Sequence, residues 1–172
     1  SPEIADGLIQ GLVSTGVAVI NIGMVPTPLV YFAANNSEYS SGILVTGSHN
    51  PPDYNGLKIV IDGHALSGDA ITGLFDRIVE KRIIQTTVHG VVSHRDIVPD
   101  YTRYIADDIQ IDRPLKVVID CGNGVPGAVA PEVLRSIGAD VEEIYCDVDG
   151  NFPNHHPDPS DPDNLIDLIE SV

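Results

Sequence analysis

Apolar positions in the first sixteen residues recur at helical spacing, with Ile4, Leu8, Ile9, Leu12 and Val13 on one face. Ser1-Pro2-Glu3 ahead of them reads as a helix start: a serine cap, a proline at the first helical position and an acid in the first turn. Gly16 supplies the stop. The pattern then turns strand-like at residues 17–22 (VAVINI), passes a proline-interrupted loop from Met24 to Pro28, and gives a short helix over 29–36. Gly42 to Val45 and residues 58–61 (KIVI) are strand-like, and Asp62-Gly63 is a hairpin turn before His64, Ala65 and Leu66. A helix is predicted over about 68–82, an extended crossing over 84–97, and a linking helix over 98–109 with Pro99 near its start.

The rhythm then restarts. Leu115 to Asp120 (LKVVID) is a buried-strand pattern, Cys121 to Val125 a glycine loop, 126–137 a helix ended by Gly138, and 140–146 a second strand. Asp161-Pro162-Asp163 caps a last helix carrying Leu165, Ile166 and Ile169. Strand, helix, strand predicts parallel pairing with a right-handed crossover. The expected class is a layered αβα fold with mixed or mostly parallel sheets, in two domains: residues 1–94 and 95–172, with the boundary near 94–98. The chain opens directly on a capped helix and closes in or just after another, so both ends read as cuts in a longer protein.

Composition narrows the function. Nine Lys or Arg stand against 25 Asp or Glu, a formal charge of −16. Residues 140–172 carry ten acids and no Lys or Arg, and Lys58 is the only basic residue of those two types before Arg77. No basic stripe is available to displace counterions from nucleic acid, and an anionic membrane surface would repel the chain. No apolar run reaches the roughly 18 residues of a membrane span. The expectation is a cytoplasmic protein with neither nucleic-acid nor membrane partners. Cys121 and Cys146 are the only cysteines, outside any C-x-x-C pair, and read as two buried thiols in a reducing compartment.

Thr46-Gly47-Ser48-His49-Asn50-Pro51-Pro52-Asp53-Tyr54-Asn55-Gly56-Leu57-Lys58 holds the most chemistry. It follows the apolar Ile43-Leu44-Val45, placing a hydroxyl, an imidazole and an amide at a strand end, where open α/β sheets put ligands. Gly47 permits a tight turn, and Pro51 and Pro52 restrict the far side. Ser48 is a candidate nucleophile that needs a base or a metal to react. Lys58, brought back to the same rim across a tight Asn55-Gly56 turn, would offset phosphate charge or move a proton. A G-x-S-x-G elbow and a G-x-x-x-x-G-K-[ST] loop are both absent, which excludes the common hydrolase and nucleotide-loop readings. A set of loop hydrogen-bond donors remains the alternative from the residues alone.

TGSHNPPDYNGLK closely resembles the active-site loop of the α-D-phosphohexomutases, particularly the bacterial phosphomannomutase/phosphoglucomutase group. VVIDCGNGVPGAVAPEVL and YCDVDGNFPNHHPDP resemble the opening of that family's second domain. The resemblance implies a four-domain intramolecular phosphotransferase, of which this chain holds most of the first domain and the first part of the second. The parent would interconvert hexose 1- and 6-phosphates of mannose, glucose or both through a hexose 1,6-bisphosphate. Ser48 would carry the phosphoryl group, His49 and Asn50 would shape the loop and the polar contacts around Ser48, Asn50 and Lys58 would contact the phosphohexose, and Lys58 would lie by the transferring group. Mg2+ would touch a phosphoserine oxygen at Ser48, its aspartates lying in an Asp-Gly-Asp-x-Asp-Arg run that this chain lacks. Asp147-Val148-Asp149-Gly150 is only a partial look-alike. The chain alone is expected not to turn over, its partners being the missing domains. A non-catalytic phosphosugar-binding or assembly module is the alternative.

Other candidates read as structural. Asp120-Cys121-Gly122-Asn123-Gly124 lacks the full G-x-G-x-x-G spacing and suits a strand-to-helix turn. His155 and His156, with Asp158 nearby, have no zinc spacing and suit a structured, partly exposed loop. His64, His89 and His94 are isolated.

Overall fold

The computed structural model describes residues 2–36, 38–47 and 54–172. The expected serine cap at Ser1 and the candidates Ser48, His49 and Asn50 lie outside the described residues.

In the first unit, helix α1 (Pro2–Ser14) packs against strand β1 (Val19–Asn21). β1 is shorter than the predicted 17–22 and pairs in parallel with β5 (Val92–His94), Val19 opposite Val92. The predicted crossing over 84–97 thus contains a strand. Between β1 and β5 come α2 (Thr27–Asn35), the antiparallel strands β2 (Gly42–Thr46), β3 (Gly56–Ile61) and β4 (His64–Ala65), and α3 (Asp69–Val79). α2 starts two residues earlier than predicted because Pro28 fits the first helical turn, where a missing N–H costs nothing. It packs on β2: a Cβ built at Gly42 would stand 2.9 Å from Val30 Cγ1. Val30, Ala34 and Val60 are buried.

Asp62-Gly63 forms the expected two-residue turn, with φ of 50° and 74°, joining Ile61 to its partner His64. His64 Nδ1 lies 2.7 Å from the Asp62 carbonyl, a hairpin role. α3 turns Ile71, Phe75, Ile78 and Val79 to solvent, each more than half exposed.

The second unit runs from Ile97 to Val172 and also takes in Met24–Leu29. α4 (Val98–Asp108) precedes β6 (Lys116–Asp120), which pairs in parallel with β7 (Asp140–Ile144), Val118 opposite Glu142. The link between them was predicted as one helix over 126–137. It is a 3-10 turn at Val125–Ala128 followed by α5 (Ala130–Ser136). Pro131 explains the break: in a continuous helix its ring would clash with the preceding turn, whereas in the first turn of α5 it is accommodated. A second 3-10 turn, Pro162–Leu165, leads into α6 (Ile166–Ser171), and Asp161 caps it by accepting the Asp163 N–H at 3.1 Å. Val25, Leu29, Ile97 and Val129 are buried.

Candidate functional site

β2 and β3 form a hairpin whose mouth is closed by Thr46 opposite Gly56. The nine residues 47–55 span it, against the about 2–5 residues of an ordinary hairpin loop. Loops held at the ends of a rigid scaffold are where binding and catalytic residues concentrate. The neck of this loop is tight. A Cβ at Gly47 would stand 3.1 Å from the Tyr54 carbonyl oxygen, and one at Gly56 would stand 3.3 Å from that of Thr46. Glycine at both positions therefore lets the two ends of the loop run side by side.

Lys58 is exposed on β3, opposite Leu44. Gly56 and Lys58 are alternate residues of one strand, so they share a face, with Lys58 about 7 Å along the strand from the mouth. This revises the local expectation: Asn55-Gly56 is not a tight turn, because Gly56 already lies in β3 in register with Thr46. The strand itself carries Lys58 back past the base of the loop.

The second unit's glycine loop is held by polar contacts. Asp120, at the end of β6, accepts the Gly122 N–H through Oδ1 at 2.7 Å and faces His155 Nε2 through Oδ2 at 2.9 Å. His155 Nδ1 lies 2.9 Å from the His156 carbonyl. Both ring nitrogens thus face acceptors, an arrangement only the imidazolium satisfies fully. The His155 pKa is accordingly raised, first by the His156 carbonyl and then by the Asp120 carboxylate, against the opposing effect of burial. Asn123 is buried at φ 57°; its side chain donates to the Asp147 carbonyl at 2.9 Å and accepts from Asn154 at 2.7 Å. Tyr145 donates to Asp167 Oδ2 at 2.5 Å, which pushes its phenol pKa up. These contacts join strand ends to the loop 147–157 and to α6.

Two relationships here were not foreseen. His155 lies on the partly exposed loop expected for it, but the pairing of its side chain with Asp120 across 35 residues was not anticipated. The two thiols, expected to be buried, are half-buried and lie 3.3 Å apart. Neither pairing leaves a short-range sequence signature. Among the described residues, no three His, Cys, Asp or Glu side chains cluster to hold a metal ion.

The Asp120–His155 pair has a measurable pH signature. Because the folded-state pKa is the higher one, folding takes up a proton at His155. That stabilisation is complete below the unfolded pKa of about 6.5 and is lost as pH rises through the folded value. Melting temperatures measured from roughly pH 6 upward are expected to fall, and His155→Gln to remove most of that fall. His155→Ala, which leaves the buried Asp120 carboxylate without this donor, is expected to cost about 2 kcal/mol in denaturant titrations. An unchanged pH slope in His155→Gln would contradict the assignment.

Fold and loop together define a two-unit α/β protein with a long, glycine-necked loop at a strand end. Residues 1–83 match the family model for phosphoglucomutase/phosphomannomutase alpha/beta/alpha domain I, and residues 99–172 match that for domain II. The chain is 54% identical over 171 residues to a phosphomannomutase/phosphoglucomutase of Pseudomonas aeruginosa, taking in 99% of this chain and 36% of that protein. It is 46% identical over 171 residues to a phosphoglucomutase of Neisseria meningitidis, taking in 99% of this chain and 37% of that one. A solved phosphoglucomutase/phosphomannomutase family protein of Burkholderia thailandensis superposes with a TM-score of 0.92 at 46% identity, over 99% of this chain and 38% of that chain. The chain belongs to the phosphoglucomutase/phosphomannomutase family, and it spans a little over a third of the length of these relatives. Among the described residues, no helix is long and apolar enough to cross a membrane.

Proposed function

We propose that this chain supplies the phosphoserine-bearing part of a cytoplasmic phosphohexomutase that interconverts hexose 1- and 6-phosphates of mannose, glucose or both. The observation that carries the reading is the segment Thr46 to Lys58, set across a hairpin mouth in a chain that aligns with mutases along nearly its whole length. Residues 1–94 are read as the first domain and 95–172 as the second, with the boundary near 94–98. Further domains of the same protein are its partners in turnover.

In this reading the phosphorylated Ser48 gives its phosphoryl group to a free hydroxyl of a hexose monophosphate. The bond from phosphorus to Ser48 Oγ breaks as one to the sugar oxygen forms, giving the 1,6-bisphosphate. After the sugar reorients, its other phosphate returns to Ser48. Such transfers depend on in-line placement and on neutralising the equatorial oxygens. His49 and Asn50 shape the loop around the serine, and Lys58 supplies positive charge and a route for the proton. A phosphoserine oxygen is a suitable Mg2+ ligand, but the described residues furnish no further ligand set. The ion's remaining ligands are assigned to another part of the protein, and no step is drawn through it.

The test is covalent. Incubation with a hexose 1,6-bisphosphate, followed by intact mass and peptide mapping of the full-length protein, is expected to show one added phosphoryl group on Ser48. A phosphoryl group mapped elsewhere, or the binding of phosphosugar with none transferred, would favour a binding module instead.

A further inference from the structure

We propose that Cys146 and Cys121 form a reversible dithiol–disulfide pair, in which Cys146 attacks a small disulfide and Cys121 completes the internal bond. The cysteines stand just beyond the paired strands β7 and β6, and their Sγ atoms are 3.3 Å apart. A disulfide needs about 2.05 Å, so closure asks for little more than 1 Å of approach. The chain around them is already drawn together. The Cys121 N–H donates to the Ile144 carbonyl at 3.2 Å, and the Asn123 N–H donates to the Tyr145 carbonyl at 2.7 Å.

The two thiols differ in access. Cys146 lines a polar cavity of about 260 Å³ with Asn123, Glu143, Tyr145, Asp147 and Asn154. Burial pushes the Cys121 thiol up to about 12, and its hydrogen bond with Cys146 adds to the rise. Burial also raises Cys146, and the Glu143 and Asp120 carboxylates add to the rise, while its contact with Cys121 works in the opposite direction. Cys146 is thus the thiol that opens to the cavity, with Cys121 Sγ behind it at 3.3 Å. Exchange needs a sulfur within reach of the incoming disulfide, so Cys146, which lines the cavity, attacks and Cys121 resolves.

The step balances with a low-molecular-weight disulfide as oxidant. Cys146 Sγ attacks one of its sulfurs, expelling a thiolate and leaving a mixed disulfide. Cys121 Sγ then attacks Cys146 Sγ, the S–H proton passes to the second departing thiolate, and two electrons have moved from protein to oxidant. Glu143 and Asp147 at the cavity make it a poor entrance for anions. A cationic disulfide is thus preferred over an anionic one.

The probes are cystamine, which is cationic, and glutathione disulfide, which is anionic, at equal concentration on the reduced, folded chain. The readouts are intact mass without reductant and peptide mapping. The expected result is loss of two hydrogens, a peptide linking residue 121 to residue 146, reversal by dithiothreitol, and a rate with cystamine at least severalfold that with glutathione disulfide. Cys121→Ser is expected to trap a mixed disulfide on Cys146, and Cys146→Ser to slow the reaction of the remaining thiol. The proposal is overturned if the reduced chain stays reduced under conditions that oxidise the urea-unfolded chain. A mixed disulfide that accumulates without an internal link overturns it too, as does faster reaction with glutathione disulfide.

Discussion

Ser48→Ala, made in a protein extending this chain to the length of its relatives, is expected to lower hexose phosphate turnover by at least about ten-thousandfold. Every cycle in the proposed reaction passes its phosphoryl group through one serine oxygen, and alanine removes the acceptor rather than merely weakening a contact. Lys58→Ala should behave differently. Lys58 neither makes nor breaks a bond to phosphorus, so its removal is expected to cost about a hundredfold in kcat/KM, in the range of one charge-stabilising or proton-transfer group. The ordering is the informative part. A Ser48→Ala protein within tenfold of the parent in a coupled assay of hexose phosphate interconversion would remove the serine from the mechanism, whatever Lys58 does. Gly47 gives an independent handle: its hydrogen faces the Tyr54 carbonyl across the loop neck, where a methyl group would be tight.

A large effect on stability is expected at Gly127→Ala. Gly127 lies in the 3-10 turn between β6 and α5, and a Cβ there would overlap the backbone carbonyl of Cys146. The obstacle is main chain, so no side-chain rotation relieves it. Either the 3-10 turn lifts away or the segment after β7 shifts, and the second choice disturbs the Asn123 contacts to Tyr145 and Asp147. A loss of about 3 kcal/mol is expected, at the upper end for overpacking. For a chain of this length that corresponds to a fall of roughly 10 °C in melting temperature. Gly7→Ala, at a helical position with open space around the added carbon, is the matched control and is expected to be neutral or slightly stabilising. Equal melting temperatures for the two variants would show that the close approach is relieved at no cost.

Much of the chain's architecture was legible because its signals are local. Helical spacing located α1, the Asp62-Gly63 turn fixed the register of β3 and β4, and the βαβ rhythm of residues 115–146 gave the parallel pair β6 and β7. What escaped was set at longer range or by a competing local rule. β1 pairs with β5 some seventy residues later, and three-residue strands carry no periodicity by which to find each other. Asn55-Gly56 has the composition of a turn, yet β3 extends far enough to absorb Gly56 into the ladder. Pro131 was visible, but only its place in the first turn of α5 turned one predicted helix into two pieces. At the candidate site, the segment around Ser48 was recognisable from its residues, whereas Asp120 with His155 and Cys121 with Cys146 are neighbours only through the fold.

The outward apolar row on α3 bears on how the isolated chain behaves as a colloid. Ile71, Phe75, Ile78 and Val79 make a sticky ridge, while a charge of −16 holds copies apart. The repulsion is screened by electrolyte and the stickiness is not, so dissolved chains should remain dispersed in dilute buffer and cluster as ionic strength rises. For most proteins of modest charge, added salt is a neutral convenience; here it selects between two forces that the sequence has placed in opposition.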